Sequence, residues 1–145
     1  MTLDRSFIEL NRASTERIRK LAASLTDKQM QTKVGEYWTV SIALAHLAFW
    51  DRRVLFALDM TERDGKLVTP QIDILVNDID LPLWAAIPAR EAARLAIETA
   101  ETLDKRLEKF SPALLEELYN FNKRWVVRAL HRGEHLDEVD AALKK

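Results

Sequence analysis

Cysteine is absent from this chain. That excludes disulfides, thiolate metal ligands and a cysteine nucleophile, and it suits a cytoplasmic protein. Glycine and proline are scarce, 3 and 4 in 145 residues, and fall mostly between stretches of helical periodicity. No apolar run approaches the ~20 residues of a membrane span, and the polar, charged residues just after Met1 do not read as a secretory leader. Charge of one sign is lacking as well. With 22 basic and 23 acidic residues the formal net charge is −1, so there is no electrostatic case for nucleic acid.

What is present is an ordinary globular composition, 48% apolar and 31% charged, long enough for one domain over residues 1–145 with its own core. The pattern predicts an all-α protein. Ser6 and Glu9 have the spacing of a capping box before a first amphipathic helix over about residues 5–25. Residues 26–37 read as a polar connector with at most one helical turn. Thr39 is the expected N-cap of a second helix that fades around Thr61–Gly65. Residues 64–87 contain Gly65, Pro70 and Pro82 and make a connection far longer than usual. It is nevertheless apolar, and reads either as a pocket wall or as the crossover that joins two parallel helices. Pro88, as a first-turn residue, begins a third helix to about Phe110, and Ser111–Pro112 signals a short one to about 119. The last helix runs from Asn122 to Leu143, which makes four long helices in a bundle. Gly133 inside it costs about 1 kcal/mol relative to alanine, and a close helix crossing would justify it.

Histidine is as rare as glycine, and its placement carries the functional signal. His131 and His135 stand four apart on the last helix, so their rings lie on one face, one turn apart. The third, His46, lies in the apolar second helix. Two nitrogen ligands from one helix and one from a neighbour leave open positions on a metal, as a catalytic site requires. A satisfied core histidine is the competing reading for His46. On the last helix, Glu134 and Glu138 lie within about 60° and 20° of the His131 direction. Each is a candidate catalytic base or orienting carboxylate, or else part of a solvated face. Arg128, one turn before His131, is a candidate anchor for an anionic substrate group, or a partner in a salt bridge between helices. Near His46, Trp50 is a candidate pocket wall with Arg53 at its mouth; core packing and an exposed arginine are the alternatives. Asp51 points away from His46 and reads as a surface or structural carboxylate. Within the crossover, Leu81–Trp84 is expected to fold over one end of the bundle, with Trp84 beside bound substrate.

Two fragments resemble a known family. They are Tyr37-Trp38-Thr39-Val40 with Ala45-His46-Leu47-Ala48-Phe49-Trp50-Asp51, and Leu130-His131-Arg132-Gly133-Glu134-His135-Leu136-Asp137-Glu138-Val139. With the four-helix plan, and with Leu83-Trp84 before a proline-led helix, the chain is similar to the DinB-like metalloenzyme superfamily. The resemblance implies a divalent metal, zinc, nickel or iron, held by His46, His131 and His135. It also implies a homodimer, and small-molecule chemistry that in characterised members uses the low-molecular-weight thiols mycothiol or bacillithiol. Thiol-dependent transfer is the leading expectation. A metal-dependent hydrolase and a non-catalytic bundle, either metal- or ligand-binding or a dimeric interaction module, are the alternatives. The extra C-terminal domain of the mycothiol-dependent maleylpyruvate isomerases is not seen in the sequence.

Overall fold

The computed structural model describes residues 3–145. Four long helices carry the fold: α1 (Phe7–Ser24), α2 (Val40–Asp64), α5 (Ala89–Lys109) and α7 (Ala129–Leu143). Between them lie the short helices α3 (Leu75–Ile79), α4 (Leu81–Ala85) and α6 (Pro112–Phe121). Cross-helix pairs give the directions. Arg106 near the end of α5 bonds Asp59 and Glu62 near the end of α2, so these two run parallel. Arg12 near the start of α1 bonds Glu108 near the end of α5, so those run antiparallel. His46 meets His135 while Asp51 meets Arg128, so α2 and α7 are antiparallel. The parallel α2–α5 pair requires the chain to travel back along the bundle, and residues 65–88 do this.

Local chemistry explains most of the boundaries. The Thr39 hydroxyl accepts from Ile42 N–H at 3.2 Å and caps α2, and Gly65 ends that helix in the left-handed conformation (φ 69°). The second helix therefore ends within the expected Thr61–Gly65 stretch, at Asp64. The Ser111 side chain caps α6 as expected, whereas Pro88 lies at the N-cap of α5, just outside its first turn.

Three local expectations are corrected. Ser6 forms no side-chain cap; its own N–H donates to Asp4 Oδ1 at 2.9 Å, and Glu9 pairs with Arg12 instead. The 26–37 connector has the foreseen turn, at Gln29–Gln31, but also a small antiparallel hairpin. In it Lys33 pairs with Thr39 and Val34 with Trp38, around Gly35 at φ 70°. The last helix does not start at Asn122. That residue caps a 3₁₀ turn, Lys123–Trp125, and α7 begins only at Ala129.

The core has two apolar halves with a buried polar layer between them. One half gathers Ile18, Leu44, Ala96 and Leu136; the other gathers Phe7, Val54, Leu107 and Leu118. Between them each long helix contributes polar groups: Asn11 and Thr15, Asp51, Asp104, and Arg132. Arg132 is fully buried. Its Nε donates to Asp51 Oδ2 at 2.9 Å, and its Nη1 donates to Asp104 Oδ1 at 2.8 Å and to Thr15 Oγ1 at 3.1 Å. Asp51 also accepts from Arg128 Nε at 2.9 Å, so one carboxylate holds two buried guanidiniums. It is structural but not a surface group.

Among the described residues Gly133 has no close crossing to justify it: a Cβ built there meets nothing within 4 Å. With ordinary helical backbone and open space, Gly133→Ala is expected to stabilise the protein by about 0.5–1 kcal/mol. A rise in melting temperature checks this; a fall would show that the neighbouring packing needs the glycine.

Candidate metal centre

His46 projects from α2 at the level of the second turn, and α7 brings His131 and His135 to it from the opposite direction. The Nε2 atom of His46 lies 3.2 Å from Nε2 of His131 and 3.1 Å from Nε2 of His135. One ligand atom from each of the three rings lies within 4.8 Å of the others. With metal–nitrogen bonds of ~2.0–2.1 Å, adjacent ligand nitrogens fall about 2.9–3.4 Å apart. The two spacings from His46 fall in this range. Without a cation the cluster is poorly satisfied, because one Nε2 cannot accept from one neighbour and donate to the other. His46 Nδ1 is also buried with no hydrogen-bond partner among the described residues. A cation at the centre would take a lone pair from each ring, so the donor set fits a divalent metal.

The electrostatics keep these rings neutral, as ligands must be. Burial pushes the His46 imidazole down to about 3, with smaller contributions from His135 and Arg128. Asn77 opposes this weakly, and its amide lies near the ring without hydrogen-bond geometry to Nδ1. Burial and the adjacent Arg128 cation push His131 lower still. Burial also lowers His135, against the opposing pull of Glu138 and Glu134. The sequence alone would put proton competition for the metal at the unperturbed imidazole value, ~6.5. Burial moves it down. In the folded protein, zinc affinity should change less than tenfold between pH 7.0 and 5.5, as read by calorimetric titration. The cost appears in folding instead: unfolded imidazoles take up protons from about 6.5 downward and the buried ones refuse them, so metal-free stability falls over that range. A tenfold or greater loss of zinc affinity by pH 5.5 would contradict this.

Aromatic rings enclose the cluster. Trp38, delivered by the hairpin, packs with its centroid 4.6 Å from His46 and 5.5 Å from His135. Trp84 of α4 meets His46 edge-on at 5.3 Å and is buried among Trp38 and Phe49. The end of the crossover thus packs against the histidine cluster, although Trp84 meets His46 away from the open cleft and does not line it. That cleft, about 560 Å³, is bounded by the three histidines, Trp38, Trp50, Trp125, Arg124, Arg128 and Glu138, and by Ile72, Ile74 and Asn77 of the crossover. Asn77 is fixed there by Trp50 Nε1, which donates to its Oδ1 at 3.1 Å.

The other residues singled out in the sequence take distinct places. Glu138 Oε1 lies 3.0 Å from His135 Nδ1, the position of a carboxylate that orients a ligand imidazole. Glu134 lies outside the cleft lining and forms a two-pronged pair with Arg124, at 2.8 and 3.0 Å. Arg53 is half-buried on α2 and also outside the lining. Arg128 is buried: Nη1 donates to the Arg124 carbonyl at 2.9 Å and Nη2 to His131 Nδ1 at 3.2 Å. Sequence reading missed Trp38 and Asn77 as site residues. Trp38 could have been suspected from its place two residues before α2; nothing in the sequence marks Asn77.

Residues 11–120 match the family model described as mycothiol maleylpyruvate isomerase N-terminal domain. The chain belongs to this family. It is a DinB-like domain, in agreement with the resemblance carried by the two histidine-bearing fragments. Comparison with curated proteins and with solved structures gave no match. The family match contains His46, Trp50 and Trp84 but ends before His131 and His135. The case for the helical pair as ligands therefore rests on their convergence with His46. No helix among the described residues is long and apolar enough to cross a membrane.

Proposed function

We propose that this protein is a metal-dependent enzyme acting on a small molecule, with a low-molecular-weight thiol as co-substrate. The observation that carries the reading is the convergence of three neutral imidazoles at the floor of an open, aromatic-walled cleft. Such a cleft has the size and lining of a small-ligand site. Three protein ligands on one side leave coordination positions facing the cleft. A bound divalent metal would supply Lewis acidity there, lowering the pKa of a thiol or water.

The chain's own residues supply the rest. Glu138, 3.0 Å from His135 Nδ1, is placed to draw the ring proton to that side and leave the Nε2 lone pair inward. Trp38 and Trp84 clamp the His46 ring from two sides and keep water from its outer edge. Trp50, Ile72 and Ile74 offer an apolar wall to the substrate, and Arg124 at the cleft supplies positive charge for an anionic group. Thiol dependence is favoured over hydrolysis because the matching family is described by a mycothiol-dependent isomerase.

The test is a substrate screen with zinc-loaded protein in the presence and absence of mycothiol, bacillithiol or glutathione. Turnover that requires the free thiol supports the proposal. Turnover of esters or amides without thiol would replace it with a hydrolase. Trp50→Ala is expected to raise KM about tenfold, through loss of apolar contact, while leaving zinc content unchanged. Loss of zinc in that variant would mean that the tryptophan supports the ligands and not the substrate.

A further inference from the structure

The partners of the two α7 histidines assign their ring protons, and they assign them differently. A guanidinium only donates, so His131 Nδ1, 3.2 Å from Arg128 Nη2, must accept. The one proton of a neutral His131 ring then sits on Nε2. His135 Nδ1 lies 3.0 Å from Glu138 Oε1, and a carboxylate beside it favours the ring proton on that nitrogen, which leaves the lone pair on Nε2. His135 is therefore preset as a ligand, whereas His131 presents an N–H to the same centre. For His131 to ligate through Nε2, its proton has to move to Nδ1, where it would meet an N–H of Arg128. The two arrangements exclude each other.

The geometry points to Arg128 as a positioning residue that competes with the metal for His131, so that metal binding displaces Arg128 Nη2 from the imidazole. This inference rests on the metal-centre reading above. Arg128 can yield without losing its place. Its Nε stays on Asp51 at 2.9 Å, its Nη1 stays on the Arg124 carbonyl, and its guanidinium lies 5.5 Å from the Trp125 ring. Only Nη2 depends on His131, and Arg128 already borders the cleft. The three histidines thus bind metal more weakly than their geometry alone would give, and the site is suited to exchange.

The experiment is long-range ¹H–¹⁵N correlation of the histidine rings in the full-length protein, metal-free and with one equivalent of zinc, with bound zinc measured on the same sample. The metal-free protein should show His131 protonated at Nε2 and His135 at Nδ1. Zinc should convert His131 to the Nδ1–H form and leave His135 unchanged. A metal-free His131 protonated at Nδ1 would overturn the inference, as would zinc binding that leaves His131 protonated at Nε2; in neither case does the metal-centre reading fall. If no zinc binds at all, both fall. Arg128→Gln gives a second readout, because an amide oxygen can accept from His131 Nδ1–H. It should bind zinc about tenfold more tightly than the parent, while Asp51 keeps Arg132 as partner. Equal or weaker binding by a folded Arg128→Gln protein would contradict the competition. The wild-type spectra test it even if that variant does not fold.

Discussion

Asp51→Ala is expected to destabilise the metal-free protein by about 3–5 kcal/mol, a large share of the ~5–15 kcal/mol typical of a folded domain. Asp51 is 1% exposed, and its two oxygens take one hydrogen bond each from Arg128 and Arg132, both at 2.9 Å. Removing it leaves two buried guanidiniums short of their charge partner. Arg132 retains Asp104, at 2.8 Å; Arg128 retains only a carbonyl and an imidazole. Desolvation is the largest influence on Arg128 and acts to lower its pKa, so the unpaired cation has no cheap alternative. The exposed pairs contrast with this. Arg94 with Glu98 on α5 lies in solvent, where such pairs contribute about 0–1 kcal/mol. Urea denaturation in the presence of chelator reads the difference. A shift below about 1 kcal/mol would show that the polar layer does not hold the two halves of the core together.

His46→Ala is expected to abolish stoichiometric zinc while the bundle stays folded. His46 is the only member of the cluster from outside α7, and its Nε2 is within 3.2 Å of both others. Without it the α7 pair offers two nitrogens and no third. The loss of affinity should exceed the ~10–100-fold that follows removal of an outer hydrogen-bond partner. Folding should survive for a specific reason: the substitution removes a buried Nδ1 that has no hydrogen-bond partner among the described residues, and a ring that resists protonation. The cost is a cavity beside Trp38 and Trp84. Zinc content after dialysis and far-ultraviolet circular dichroism measure the two halves of the expectation. Unchanged zinc content would show that His46 is a core histidine and not a ligand.

Much of the fold was legible because helical periodicity and capping are local. Thr39, Ser111 and Gly65 mark helix ends by chemistry that acts within four residues, and the structure uses all three. The hairpin at Lys33–Thr39 was not legible, since two-residue strands have no periodicity to read. Asn122 illustrates the limit of a cap signal. It does cap, but the chain makes only a 3₁₀ turn before α7, and that kink lets Arg128 turn inward to Asp51. The histidine cluster was visible as an i, i+4 pair plus one remaining imidazole. Its surroundings were not, because Trp38 and Asn77 reach it through tertiary packing. Arg128 and Arg132, also four apart, carried the same helical signal as the histidines. From the sequence, Arg128 stands as an anchor or a salt-bridge partner and Arg132 has no assigned role. Their joint burial on one carboxylate appears only when α2 is placed beside α7.

The most direct test of the metal centre is X-ray absorption at the zinc edge of protein loaded with one equivalent of zinc. Three imidazole nitrogens at ~2.0–2.1 Å, with one further light-atom ligand, are expected, and His46→Ala should not retain the metal. A first shell of oxygens without the outer scattering of imidazole rings, or a stoichiometry far below one per chain, would contradict it.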